Sequence, residues 1–305
     1  MEAPIKPRKY SCQLLHYIFK IVDRPKNLKF FQEILGMKVL RHEEYRKERS
    51  PSNKRPSALW SKTLFGYGPE DKYFAVELVW NSEVSSYDIG NAYEGITIIS
   101  RESIARAHAL KWPMKLKGHF HCIESPDGYN FFLIDEPQPM DKDPVINLSL
   151  NSTHIATSAN YWIQLCGIGL ISYRYSKIVL SYGSNQPYLV ICYKKEPISH
   201  GSGKGKIVLS IPLRDLQDIE TSSRDTNRTI IAPLKCVEIS ENKTVNLLFL
   251  ADSDCHEICF LDEESFRIIS RYDPLGEAFL HYSMKKFEKN VKRNTEIHPK
   301  ISKKL

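Results

Sequence analysis

The chain repeats itself. The segment Asn27-Leu28-Lys29-Phe30-Phe31-Gln32-Glu33-Ile34-Leu35-Gly36 returns 131 positions later as Ser158-Ala159-Asn160-Tyr161-Trp162-Ile163-Gln164-Leu165-Cys166-Gly167. A second stretch, Ser125 to Leu133, returns as Asp252 to Phe260. Internal self-similarity of this kind means that one structural unit is used more than once, and it limits the fold to arrangements that such units can build together.

Each half reads as strand, helix and several short strands, twice over. In the first unit Leu14–Val22 is a strand. Asp23 is placed to cap the helix that follows, and Pro25 is tolerated in its first turn. Leu28, Phe31 and Leu35 form an apolar stripe at helical spacing, and Gly36 supplies a left-handed stop. The second unit runs from Gly95 to Ile134 with its helix at Ile104–Lys111. The third and fourth begin near Val145 and Lys206. Pro137 to Pro144 is the joint between the halves. After Asp262 the alternation ends, and Ser265–Arg271 and Gly276–Lys289 read as C-terminal helices leading into a basic tail. The expectation is an α+β chain with domains at 10–137 and 143–263 and a C-terminal part at 264–305.

Composition narrows the function. The 305 residues suffice for two domains of roughly 150 residues. The hydrophobic fraction of 42% supports a packed core. The net charge of +7 is nearly all local, because eight Lys/Arg between Lys285 and Leu305 face only Glu288 and Glu296. The rest of the chain offers no basic surface for nucleic acid. No apolar run reaches the ~20 residues of a membrane span, and Met1 to Arg8 has no apolar signal region. The seven cysteines, odd in number and mostly among apolar neighbours, read as reduced thiols. The expected location is cytoplasmic, with mitochondrial association as the alternative.

Chemistry concentrates in two strands. In Leu14-Leu15-His16-Tyr17-Ile18-Phe19-Lys20, side-chain alternation puts His16, Ile18 and Lys20 on one face. In Glu77-Leu78-Val79-Trp80-Asn81 it puts Glu77, Val79 and Asn81 together. With Leu35-Gly36-Met37-Lys38-Val39-Leu40 and Gly90 to Ile96, these segments resemble glyoxalase I and the vicinal-oxygen-chelate superfamily. The resemblance implies four βαβββ units, two curved mixed sheets, and a divalent metal of the Zn or Ni class held by His, Glu, His and Glu. Such an ion polarises substrate oxygens, and one carboxylate removes the proton.

By that resemblance the first pair of ligands matches His16 and Glu77, whereas the second pair falls on Gly95 and Phe132. The later half offers Asn147, then Val190 or Cys192, then Lys206 and Cys259. Loss of the general base alone would cost roughly 10²–10⁴ in rate. The positions that contact the terminal carboxylate of glutathione in the family are Lys20 and Asn81 here. Lys keeps the charge of the usual Arg without its fork. His119 and His121, two apart on an expected strand Gly118–Ile123, are candidate extra ligands, and the plain alternative is a polar edge strand. The resulting expectation is a glyoxalase I-like protein of methylglyoxal metabolism with weak or absent lactoylglutathione lyase activity. The competing readings are a non-catalytic binder of a small molecule or glutathione conjugate, and a protein-interaction scaffold.

Other signals are bland. Gly201-Ser202-Gly203-Lys204-Gly205-Lys206 lacks phosphate-loop spacing and reads as a flexible connection. His256-Glu257 lacks the second His of a zincin motif and falls in a hairpin turn, where Asp252 and Asp254 read as turn formers first and calcium ligands only remotely. Arg46 to Arg55 reads as a mobile surface loop.

Overall fold

The computed structural model describes residues 10–46, 59–183, 185–240 and 243–297. Most of the Arg46–Arg55 loop, the N-terminal residues before Tyr10 and the end of the basic tail lie outside them. Four units follow one another. The first has β1 (Gln13–Ile21), α1 (Arg24–Lys29), β2 (Lys38–Arg46), β3 (Leu59–Gly66) and β4 (Ala75–Asn81). The second has β5 (Tyr93–Ile99), α2 (Arg101–Ala109), β6 (Met114–Lys117), β7 (Phe120–Glu124) and β8 (Asn130–Ile134). The third has β9 (Val145–Ser152), α3 (Ile155–Cys166), β10 (Gly169–Arg174), β11 (Lys177–Ser181) and β12 (Tyr188–Tyr193). The fourth has β13 (Lys206–Ile211), α4 (Leu213–Asp225), β14 (Ile230–Ser240), β15 (Lys243–Ala251) and β16 (Glu257–Asp262). Two helices, α5 (Glu263–Ile269) and α6 (Gly276–Ile297), complete the described chain.

The strands form two eight-stranded sheets, and each sheet takes one unit from each half. The first has the order β14-β15-β16-β13-β1-β4-β3-β2, and the second β10-β11-β12-β9-β5-β8-β7-β6. Units one and four therefore share a sheet, as do two and three. Within each unit the first strand runs parallel to the last, while the joins between units, β1–β13 and β5–β9, are antiparallel. The α+β architecture of tandem βαβββ units in two mixed sheets is the one expected from the repeats.

Local rules account for the first helix. The Asp23 carboxylate accepts from Lys26 N at 2.9 Å, and Gly36 takes φ +76° at the exit. Between them the helix widens into a π turn, Phe30–Ile34, where Leu35 N donates to Phe30 O at 3.0 Å. The widening has no counterpart in α3, an α-helix that ends on Gly167 at φ +68°.

The core lies where the outer faces of the sheets meet the helices. Phe19 packs 4.3 Å from Tyr129 and 5.0 Å from Tyr93, joining the first unit to the second. Phe131 sits between Phe30 and Phe31, at 5.3 and 5.6 Å. Rings buried this way are the main stabilising contribution to such an assembly. The glycine-rich run after β12 is packed too, which corrects its reading as a flexible connection. Gly203 N donates to Asp88 O at 2.6 Å, and a Cβ on Gly201 would meet that same carbonyl at 2.2 Å. Close backbone approach explains the glycines, not phosphate binding.

Helix α6 covers the outer side of β2. Arg24 stacks 3.7 Å above Trp80 and pairs with Glu44 at 2.5 Å, while Phe287 meets Trp80 edge-on at 4.9 Å. No helix among the described residues is long and apolar enough to cross a membrane. Phe131→Ala should lower the unfolding free energy by about 3–5 kcal/mol in urea titrations, because Phe19, Phe30 and Phe31 lose a shared partner.

Candidate functional site

The concave face of the first sheet carries the expected pair. A β-bulge between Leu14 and His16 resets the alternation of β1. Leu14 and Tyr17 both pack in the main core, so Leu15 and His16 both turn to the concave face. His16 Nε2 lies 3.8 Å from Glu77 Oε2, and both side chains are buried. That distance is beyond a hydrogen bond. His16 Nδ1 and Glu77 Oε1 make no hydrogen bond within the protein.

The imidazole is held neutral. Burial pushes His16 down to about 3, and Arg41 and Lys62 push the same way. Lys62 Nζ stands 3.9 Å from Glu77 Oε1, and Arg41 pairs with Glu70 at 3.1 Å. Glu70 is the residue that sequence reasoning missed. It sits in the loop between β3 and β4, in a Gly-Pro-Glu-Asp run that reads as an ordinary surface turn, yet it is 3% exposed. Burial raises its carboxyl to about 7; Arg41 opposes the rise, and nearby Glu77 adds to it. Such a group can take and give a proton near neutral pH. Nothing in the local sequence marks it, since only folding brings Arg41 and Glu77 into range.

The sheet order decides which positions face His16 and Glu77. Gly95 and Phe132 lie in the second sheet, and the Phe132 ring fills the space above Gly95, where a Cβ would meet it at 2.2 Å. Restoring ligands there could not complete the His16–Glu77 pair. The fourth unit faces that pair instead, with Lys206 opposite Ile18, and Cys259 beside the Val208 that pairs with His16. Register also settles the third unit. Asn147 pairs with Tyr188 as His16 pairs with Ala75, so Val190, not Cys192, is the counterpart of Glu77.

These residues do not fit a full metal shell. Two donors 3.8 Å apart could meet one ion after a small shift, given bond lengths of about 2.0–2.2 Å. Lys206, however, is a cation bound to Glu257 at 3.0 Å. Burial pushes the Cys259 thiol up to about 12, so it is protonated at neutral pH.

The remaining candidates are placed as follows. Lys20 Nζ donates to Ser202 O at 2.9 Å, and burial with Lys206 and Lys204 nearby lowers its pKa. Asn81 accepts from Glu83 N at 2.9 Å at the end of β4. His119 and His121 do not join His16. They belong to the second sheet, and Gly118, at φ +64°, turns the chain so that His119 lies in the turn and His121 on β7. The expected single strand Gly118–Ile123 is thus a hairpin end, and the two imidazoles share no strand face.

Asp252, Asp254 and His256 form another group, with ligand atoms within 4.8 Å of one another. Its bonds are structural. Asp252 Oδ1 accepts from the N–H groups of Asp254 and His256, and Oδ2 accepts from Trp162 Nε1 at 3.2 Å. Burial opposes charge on both partners, but the Asp252 carboxylate holds His256 above its ordinary value, and His256 holds Asp252 below its own. With His256 Nε2 3.3 Å from Ala92 O, this ion pair ties units two, three and four together.

The segment after Asp262 closes the concave face. Phe266 of α5 packs with Leu15, Val208, Cys259 and Leu261. Arg41, on the far side, donates to Ile269 O at 2.6 Å. Polar contacts and an apolar wall thus enclose the His16–Glu77 pair.

This arrangement of paired βαβββ units around a histidine–glutamate pair defines a vicinal-oxygen-chelate protein of the glyoxalase type. Residues 154–269 match the family described as glyoxalase domain-containing protein 4-like, C-terminal domain. Glyoxalase domain-containing protein 4 of Mus musculus is 35% identical over 94% of this chain and 98% of its own length. Glyoxalase 1 of Caenorhabditis briggsae is 34% identical over 90% of this chain and 97% of its own. The crystal structure of glyoxalase I from Zea mays shares the fold at a TM-score of 0.71 with 20% identity, covering 85% of this chain and 95% of that one. The chain belongs to the glyoxalase domain-containing protein 4 family.

The pKa shifts have opposite consequences for stability. Above about 4.5 the unfolded chain has lost the Glu70 proton while the folded chain keeps it to about 7, so stability falls as pH rises through that window. Glu70→Gln should therefore stabilise the protein at pH 8, by on the order of 1–3 kcal/mol, and change little at pH 4. His16 works the other way. Below 6.5 the unfolded chain binds a proton that the folded chain refuses until about 3, so stability falls as pH falls, and His16→Gln should flatten that acid limb in thermal melts.

Proposed function

We propose that this chain is a glyoxalase I-like protein of reactive-carbonyl metabolism whose lactoylglutathione lyase chemistry is weak or absent. The concave face of the first sheet then binds a small anionic thiol conjugate, of which a glutathione conjugate is the expected type. Family membership supports the ligand class. The observation that carries the rest is the pair facing His16 and Glu77: a lysine engaged with Glu257 and a protonated thiol stand where a second His and Glu would complete the site. Lys20 and Asn81 are the proposed contacts for a ligand carboxylate. Lys62 and Arg41 add positive potential over the same face. Glu70 is the group best suited to hold a proton there. A divalent ion of the Zn or Ni class on His16 and Glu77 belongs to this reading only as a partially occupied ligand. The non-catalytic reading is favoured by the closure of the face, where α5 occupies part of the space above β13 and β16.

Two measurements test this. Purified protein supplied with Ni, Co or Zn should form lactoylglutathione from methylglyoxal and glutathione at close to the background rate, yet bind S-hexylglutathione in calorimetry. Lys20→Ala or Asn81→Ala should weaken that binding by about tenfold. Robust metal-dependent turnover, abolished by His16→Ala or Glu77→Ala, would overturn the proposal. Lys206→His with Cys259→Glu should raise bound nickel toward one ion per chain after dialysis, read by elemental analysis. The Gly95→His, Phe132→Glu variant, altered only in the second sheet, should show no such gain.

A further inference from the structure

The second sheet carries its own version of the Lys20–Asn81 pair. His16 and Asn147 occupy equivalent places on β1 and β9, and Glu77 and Val190 do so on β4 and β12. Four residues on from each, Lys20 corresponds to Asn151 and Asn81 to Lys194. A lysine and an asparagine thus stand at both places, with their positions exchanged. In the second sheet they line a cavity of about 140 Å³, together with Asn91 and Glu94.

Hydrogen bonds set the walls of this cavity. Asn91 Oδ1 accepts from Ser199 N at 2.8 Å, and its Nδ2 donates to Pro197 O at 3.0 Å. Asn151, 2% exposed, donates from Nδ2 to Asn91 O at 2.8 Å and to Glu94 Oε2 at 3.1 Å, which leaves its Oδ1 as an acceptor. Lys194 N donates to Ser152 O at 2.9 Å and so holds the residue beside β9. The Lys194 ammonium makes no ion pair or side-chain hydrogen bond among the described residues. Glu94 pairs through Oε1 with the exposed Lys117 at 3.2 Å, not with Lys194. The cavity therefore holds an anion and a cation that do not neutralise each other.

We propose that this cavity binds the zwitterionic head of an α-amino acid, with the ligand ammonium on Glu94 and Asn151 and the ligand carboxylate on Lys194. Charge-assisted hydrogen bonds of both signs then form across the gap that the protein leaves between its own charges. A phosphate or a simple carboxylate would meet Glu94 as like charge, and a metal ion would meet Lys194. The volume sets the size limit. Drug-sized ligands take roughly 300–1,000 Å³, so a single head group fits here. A free amino acid and the γ-glutamyl end of a glutathione-type peptide share this chemistry. The site lies in the other sheet from the His16–Glu77 pair and does not depend on the function proposed for that face.

Calorimetry on the full chain with three probes provides the test. L-Glutamine should bind with a Kd of about 1 mM or tighter. Glutaramate, the same molecule without its α-ammonium, should bind about tenfold more weakly or not at all. Glu94→Gln and Lys194→Met should each weaken L-glutamine by about tenfold while keeping a cooperative thermal melt, and Glu94→Gln should also remove the preference over glutaramate. Glutathione, the third probe, identifies the source of the head group. If its binding falls with Lys194→Met, the occupant is a γ-glutamyl peptide. If its binding ignores that substitution or is absent, the occupant is a free amino acid. The proposal is overturned if L-glutamine does not bind, if glutaramate binds equally well, or if neither substitution weakens L-glutamine.

Discussion

The antiparallel join between β1 and β13 carries more consequences than any other contact in the molecule. It brings the first unit against the fourth across nearly the whole sequence, and its counterpart between β5 and β9 then joins the inner two. The bulge within the join places His16 beside Leu15 on the concave face. Without that extra residue the alternation of β1 would turn one of them into the aromatic core with Tyr17 and Phe19. Every property of the candidate site, including which residues face His16 and Glu77, follows from this pairing.

The site that results is a compromise between charge and burial. His16 gives up its proton because desolvation and two cations oppose it. Glu70 keeps one near neutrality because Arg41 compensates only part of the cost of burial. Two groups of the same enclosed face are thus driven toward neutral forms, which lowers the cost of burying them. The Asp252–His256 pair takes the opposite course. Each partner favours the charged form of the other, and the surrounding N–H groups complete the carboxylate. That difference separates a structural ion pair, with its bonds already made, from a site with polar atoms still available to a ligand.

Divergence between the halves is visible where the repeat ends. Only one copy follows its last strand with α5 and α6. The first of these helices closes the concave face of the first sheet, and the second covers the outer side of β2. The aromatic face around Tyr173 and Tyr193 is the matching region, and among the described residues it stays exposed.

The sequence by itself determined the units. The repeats at Leu28–Leu35 and Ala159–Leu165, the cap at Asp23 and the stops at Gly36 and Gly167 are local signals, because helix periodicity, capping and left-handed turns depend on residues close along the chain. It also determined the glyoxalase-type resemblance and the His16–Glu77 pair, since strand alternation places both on faces that one sheet can share. Only the tertiary structure decided which units pair, and therefore that Lys206 and Cys259 face the pair while Gly95 and Phe132 lie elsewhere. It alone showed that the turn at Gly118 leaves His119 outside the strand that carries His121, and that Glu70 is buried beside Arg41. The pairing of units depends on strand order between segments far apart in the chain, and the setting of Glu70 on a side chain from another strand, so no short window of the chain carries that information.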